Sequence, residues 1–189
     1  RDLSGGMHRR LSLAASLVHD PSLLFLDEPT GGVDPVLRRK FWDHFETLRD
    51  EGNTLFVTTQ YVGEAAYCDL VGVMMKGRMI VVDTPEGLRH RAFGGEVINV
   101  HTDGSVEYPI TRDLRNVVGV RQVIQVGDTH VRLVVDRASV VTPRILDWAK
   151  DRELEVVSIE EYQPPFDDVF VRIIEQGDGG ELPESASNG

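Results

Sequence analysis

The sequence predicts an α/β protein in which residues 1–93 form a layered, mostly parallel structure and residues 94–175 form a smaller α+β unit. Three observations support this. Short apolar strands alternate with amphipathic helices up to Phe93, the pattern of layered α/β domains. Phe93-Gly94-Gly95 then interrupts the pattern, and the stretch beyond it reads as strands joined by a tight turn. At 189 residues the chain is long enough for one large or two small domains, each with a buried core.

In chain order, Ser4 is a helix N-cap, and Met7, Leu11, Ala14, Ala15 and Val18 follow at helical spacing, which predicts an amphipathic helix from Ser4 to about His19. Leu23-Leu24-Phe25-Leu26 has no alternation and predicts a strand buried on both faces, stopped by Asp27-Glu28-Pro29. Pro35 to about Arg49 is a second helix with Phe41, Phe45 and Leu48 on one face, leaving through Gly52-Asn53. Thr54 to Thr59 is another apolar, β-branched strand. A short helix over Val62 to Tyr67 leads to a strand from Leu70 to Met75, a turn at Lys76-Gly77, and a return strand from Met79 to Val82. Thr84-Pro85 starts the next helix, with proline at its first position.

Beyond Gly95, strands are expected over Val97 to His101, Val120 to Val126, Thr129 to Val135 and Leu154 to Ile159, with a tight turn at Gly127-Asp128. Helices fall over Thr111 to Val117 and Pro143 to Lys150. The order β-α-β-β-α-β is that of a ferredoxin-like unit, in which two helices cover one side of an antiparallel sheet. Residues 176–189 are Gly, Glu, Ser and Pro with almost nothing apolar, the composition of a disordered tail.

Charge and cysteine content exclude whole classes. With 20 basic against 31 acidic residues the net charge is −11, which argues against sequence-independent binding to nucleic acid or to an anionic membrane surface. A single cysteine, Cys68, cannot form an internal disulfide and fits a cytosolic protein. No apolar run approaches the roughly 20 residues of a membrane helix, so any membrane link is expected through a partner. The six histidines show no paired ligand spacing that would mark a metal site of protein ligands. Trp42, Tyr61 and Tyr67 read as core or rim residues that could also stack a base.

Two short stretches carry chemistry. A buried strand ending in Asp27-Glu28 puts two acids at the carboxyl edge of an α/β sheet, where ligands bind. One acid suits Mg²⁺ and its water shell, and the other suits orienting and deprotonating an attacking water. Leu3-Ser4-Gly5-Gly6 puts a hydroxyl and two side-chain-free N–H groups at a helix N-terminus, a ready phosphate site. Taken alone, the first is equally a strand end with solvated acids and the second more often an ordinary helix cap.

The joint order decides between these readings. Leu3-Ser4-Gly5-Gly6-Met7, a helix, Leu23 to Thr30, then Gly31-Gly32-Val33-Asp34-Pro35 and Thr58-Thr59-Gln60 together closely resemble ATP-binding-cassette ATPases. In that family these stretches are the signature motif, the Walker B strand, the D-loop and the switch region. The resemblance implies the C-terminal part of a P-loop NTPase domain followed by a ferredoxin-like accessory or regulatory domain. It implies ATP and Mg²⁺ as cofactors, with Asp27 as the Mg²⁺-associated acid and Glu28 as the general base. Ser4, Gly5 and Gly6 would bind the γ-phosphate of ATP held by the opposing subunit, and Asp34 would communicate across the dimer interface. Gln60 occupies the switch position, where many members have histidine; an amide can donate a hydrogen bond to a γ-phosphate but does not titrate near neutral pH. Met7 replaces the more usual glutamine of the signature.

Thr59-Gln60-Tyr61 resembles a subgroup linked to drug and antibiotic export, and Pro165-Phe166-Asp167-Asp168-Val169-Phe170 resembles part of that subgroup's C-terminal domain. In the plain reading, Phe166, Val169, Phe170 and Ile173 dock an amphipathic helix, with regulation or dimer contact as its use. The resemblance implies two partners and no nucleic acid: a second nucleotide-binding subunit, as a homodimer, and an integral membrane permease that holds the protein on the inner face of the cell membrane. A phosphate loop needs Gly-x-x-x-x-Gly-Lys-Ser/Thr. The only lysines are Lys40, Lys76 and Lys150, and none follows a glycine, so the chain is not expected to hydrolyse ATP unaided. Arg1 opens directly at a helix-initiation signal, which predicts a chain that begins inside a domain. The competing functions are a soluble cassette ATPase and a non-hydrolysing half that contributes only its signature face.

Overall fold

The computed structural model describes residues 5–106 and 108–178. The chain forms two compact units, one ending at Cys68 and one starting at Asp69.

In the first unit, helix α1 (Gly5–Leu17) is followed by strand β1 (Leu23–Asp27), helix α2 (Pro35–Asp50), strand β2 (Thr54–Thr58) and a 3₁₀ helix (Val62–Tyr67). Strands β1 and β2 pair in parallel, with Leu23 opposite Thr54 and Asp27 opposite Thr58. Their starts are aligned by the Asn53 side chain, which donates to the Pro21 carbonyl at 2.7 Å, and by the Thr54 N–H on Ser22. Asp34 caps α2 by accepting the Leu37 N–H at 2.9 Å, and Pro35 fills the first helical position. Phe41, Trp42 and Phe45 of α2 pack with Val33, and Leu26, Leu55 and Val57 from the strands lie against them.

Two expectations are corrected in this unit. Strand β1 is not buried on both faces: Leu24 is buried, but Phe25 is 72% exposed and meets the exposed Phe56 ring at 5.6 Å on the face away from α2. A single α2 layer covers only the face carrying Leu24, Leu26, Leu55 and Val57. Likewise, Met7, Leu11, Ala14 and Ala15 on α1 and Val18 just beyond it are exposed, and the helix meets the core through Leu13.

The second unit begins with an antiparallel hairpin, β3 (Val71–Met75) and β4 (Arg78–Asp83). Its turn residues Lys76 and Gly77 both have positive φ, 49° and 76°, which matches the strand twist. Helix α3 (Pro85–Phe93) is capped by Thr84, which accepts the Gly87 N–H at 3.0 Å, and closes on Gly94 at φ 75°. There follow β5 (Glu96–Thr102), α4 (Tyr108–Leu114), β6 (Val120–Gly127), β7 (His130–Val135), α5 (Ala138–Lys150), β8 (Val156–Glu161) and α6 (Phe166–Asp178). The four-stranded sheet runs β6-β7-β5-β8 with antiparallel neighbours throughout, the ferredoxin-like arrangement. Ile98, Val100, Val123, Val131, Leu133 and Val135 on the sheet pack with Leu114, Val141 and Ile145 from the helices.

The unit boundary differs from the expected break at Gly94. Helix α3 packs against α6: Leu88, Ala92, Val169 and Ile173 are all buried, Arg172 lies over the Phe93 ring, and the Gln176 amide donates to the Ala92 carbonyl. That packing draws residues 69–93 into the second unit, and it also keeps α6 helical through Asp178, into the stretch expected as tail. Residues 179–189 lie outside the described residues. Helix α5 begins at Ala138 rather than Pro143, because the Glu96 carboxylate accepts the Ala138 N–H and so caps the helix from a neighbouring strand. The β6–β7 turn is Asp128-Thr129, with Gly127 paired to His130, one residue later than expected. Helix α4 starts three residues before the expected Thr111.

Candidate active site

The parallel register places the ends of β1 and β2 side by side, so the residues that follow each strand meet at one edge. Asp27 ends β1 and is exposed; the Thr58 hydroxyl of β2 donates to its Oδ1. Glu28 is half-buried and adopts a left-handed backbone at φ 44°. Its N–H donates to the Thr58 carbonyl at 3.0 Å and to the Thr58 hydroxyl at 3.1 Å, which holds the turn against the sheet. The Glu28 carbonyl in turn accepts the Gly31 N–H at 3.0 Å. Gln60 is exposed, two residues past β2, and its Nε2 donates to Glu28 Oε2 at 3.2 Å. Glu28, beside Asp27, therefore meets Gln60 from more than thirty positions away.

The remaining site residues are placed differently. Gly5 and Gly6 open α1; among the described residues a Cβ on Gly5 would meet nothing within 4 Å, and one on Gly6 would lie 3.6 Å from the Leu37 side chain. Ser4 lies outside the described residues. Asp34 is exposed at the start of α2, and its Oδ1 is engaged in capping. Asp167 and Asp168 fall in the first turn of α6, where acids complement the helix dipole, and Phe166, Val169 and Ile173 are buried as a docking face.

Local sequence did not mark the polar groups behind the acids. Thr30 is completely buried, and its hydroxyl donates to Glu64 Oε1 at 2.7 Å. Glu64, on the 3₁₀ helix, is 3% exposed, and Arg38 of α2 approaches the same oxygen at 3.5 Å, an ion pair rather than a hydrogen bond. The Arg38 guanidinium stacks over the Tyr61 ring at 3.8 Å. A lone glutamate in a short helix between strands reads as solvated; only the tertiary fold shows it buried.

The donor set fits a hydrated Mg²⁺. An exposed carboxylate beside a hydroxyl supplies the hard oxygen ligands that Mg²⁺ prefers, and a second carboxylate stands next to it. A parallel strand pair with two acids at the carboxyl end of β1, in a unit that also carries a glycine-tipped helix, is an arrangement found in nucleotide-handling α/β domains.

Residues 1–31 match the family described as ABC transporter. The sequence is similar to those of ATP-binding-cassette transporter ATPases. It is 45% identical over 95 residues to the probable multidrug ABC transporter ATP-binding protein YbhF of Escherichia coli (strain K12), covering 50% of this chain and 16% of that protein. It is 36% identical over 173 residues to the daunorubicin resistance ATP-binding protein DrrA2 of Streptomyces coeruleorubidus, covering 90% of this chain and 53% of that protein. A solved ATP-binding cassette of an ABC transporter in its ADP conformation aligns over 44% of this chain and 33% of its own, with 28% identity and a TM-score of 0.40. The chain spans about half or less of the length of these curated relatives.

Proposed function

We propose that this chain is part of a subunit that hydrolyses ATP to drive a membrane exporter. The observation that carries the proposal is the convergence of Asp27, Glu28 and Gln60 at the joined ends of β1 and β2. In this reading Asp27 would hold Mg²⁺, which would supply charge neutralisation for the phosphate oxygens. Glu28 orients the attacking water and accepts its proton. The Gln60 amide, already donating to Glu28, fixes that carboxylate and has a second N–H for a phosphate oxygen. The backbone N–H groups at Gly5 and Gly6, with the Ser4 hydroxyl, bind the γ-phosphate of nucleotide held by a second subunit, and Asp34 lies on that dimer interface.

Among the described residues no helix is long and apolar enough to cross a membrane. In this reading coupling runs through a permease partner that keeps the subunit on the inner face of the membrane. The names of the relatives, multidrug and daunorubicin resistance, favour export of an organic compound. The chain contains no Gly-x-x-x-x-Gly-Lys-Ser/Thr, so the 189-residue chain alone is expected to be inactive, and the test belongs in the full-length protein. Glu28→Gln there is expected to lower the hydrolysis rate by about 10²–10⁴-fold while ATP still binds, trapping a nucleotide-bound dimer. Normal turnover by that variant would remove Glu28 from the role.

A further inference from the structure

The loops after β1 and β2 carry the reacting groups, yet both lie at the surface, and their functional side chains meet through the Gln60–Glu28 contact at 3.2 Å. Behind them lies a second, buried connection. Thr30 follows Glu28 by two residues, Glu64 follows Gln60 by four, and the Thr30 hydroxyl bonds Glu64 Oε1 at 2.7 Å with both residues buried. Arg38 approaches Glu64 from α2 and stacks on Tyr61, the neighbour of Gln60. A buried carboxylate is costly to desolvate, and Glu64 Oε2 accepts no hydrogen bond among the described residues. An apolar side chain in its place would fill the core without that cost but would remove the buried hydrogen bond between the two loops.

We infer that Glu64 is a positioning residue, which ties the loop of the general base to the loop of Gln60 through Thr30 and sets the spacing between the Glu28 carboxylate and the Gln60 amide. The inference rests on the proposed ATPase activity. Its physical basis is that errors of about 1 Å in a catalytic group can cost on the order of 10²-fold in rate without weakening substrate binding. The tie therefore acts on kcat and leaves KM alone.

The test is steady-state ATP hydrolysis by the full-length protein carrying Glu64→Ala, Glu64→Gln, Thr30→Val or Thr30→Ser, with melting temperature measured on each. Glu64→Ala and Thr30→Val are expected to lower kcat at least tenfold with KM within twofold of wild type. Glu64→Gln keeps an oxygen acceptor and Thr30→Ser keeps the hydroxyl, so both are expected within threefold of wild type. Combining Glu64→Ala with Thr30→Val should cost no more than the worse single change, because one bond is removed in each case. A folded Thr30→Val protein with kcat within twofold of wild type overturns the inference. So does a Glu64→Gln protein as impaired as Glu64→Ala, which would place the role in the Arg38 ion pair, or failure of both Glu64→Ala and Thr30→Val to fold, which would make the pair purely structural. Failure of the ATPase reading looks different: the wild type would not hydrolyse ATP, or Glu28→Gln would turn over normally, and then both proposals fall.

Discussion

Glu28 holds its backbone at φ 44°, a conformation that costs an ordinary side chain about 1–2 kcal/mol. The Thr58 carbonyl and hydroxyl both accept its N–H and maintain the turn, so the strand stops abruptly and the carboxylate faces Gln60 instead of continuing along the sheet. Such strain concentrates at functional sites, where surrounding structure over-determines the geometry. The strand ends that carry Asp27, Glu28 and Gln60 were legible in the sequence from local pattern, whereas the roles proposed for these residues came from the resemblance of the joined motifs. Thr30 and Glu64 were not, since nothing within their own segments distinguishes a buried acid from a solvated one. A second residue-scale feature lies on the ferredoxin-like sheet, where His130 stacks on His101 with ring centroids 3.9 Å apart. Burial, His101 and Arg132 push the His130 imidazole below its usual range, and Glu160 acts in the opposite direction. Ser158 of β8 is the register partner of His101, and His130 Nε2 is buried with no hydrogen-bond partner among the described residues. The depressed group stays neutral in the fold while its unfolded counterpart takes up a proton near pH 6.5. Its stabilisation is therefore complete above about pH 6.5 and is lost as pH falls toward the folded value. Urea midpoints of the whole chain at pH 7.5 and 5.5 should show a drop in the second unit that His130→Phe reduces; an equal drop in both proteins would clear His130. Asp83, held down chiefly by Arg91 at 2.6 Å, has the depressed-acid sign and acts only below about pH 4, outside that window.

At the scale of elements, Gly94-Gly95 shows how a correct local reading can carry the wrong architectural meaning. The pair does end a helix, as glycine after a periodic run predicts, and Gly94 takes the left-handed C-cap position at φ 75°. It is not a linker between units. Gly95 leads straight into β5, and a Cβ added there would lie 2.3 Å from the Val135 carbonyl oxygen, the backbone of the adjacent strand. A backbone atom locked in a ladder cannot move aside as a flexible side chain could. Gly95→Ala is therefore expected to destabilise the second unit by about 1–3 kcal/mol, the usual cost of overpacking. Gly63→Ala is the control, since its Cβ would meet nothing within 4 Å and its φ is not positive, so it should fall within about 0.5 kcal/mol of wild type. Equal urea midpoints for the Gly95→Ala and wild-type proteins would show that the β5–β7 pairing can yield. Helix α5 was mislocated for a related reason: its cap, Glu96, lies more than forty positions upstream, and Pro143 is tolerated in its interior because the carbonyl it would have bonded belongs to the exposed Ser139.

Across the whole molecule the two units have unequal cores. Every large side chain with less than 2% exposure, including Leu88, Ile98, Leu133, Ile145 and Ile173, belongs to the second unit. The first unit relies on Leu24, Val33, Phe41, Trp42 and Phe45, and leaves Met7, Leu11, Val18, Leu23, Phe25 and Phe56 exposed. Apolar periodicity located these residues but did not show which of them a neighbouring layer would cover, because that depends on the number of layers packed around the sheet. Burial of apolar surface stabilises by roughly 25 cal/mol per Å², so the unit with the incomplete core should open at lower free energy. Limited proteolysis of the 189-residue chain should therefore cut first within residues 5–68 and leave a resistant fragment beginning near Asp69, in which α3 and α6 remain packed together. Hydrogen exchange should rank the amides in the same order, with those of β5 and β7 among the slowest and those of β1 and β2 faster, although all four are strands. A fragment beginning near Glu96 would mean instead that α3 separates from α6 and that the division at Gly94 is the energetically relevant one, while uniform exchange across β1, β2, β5 and β7 would mean that the two units open as one.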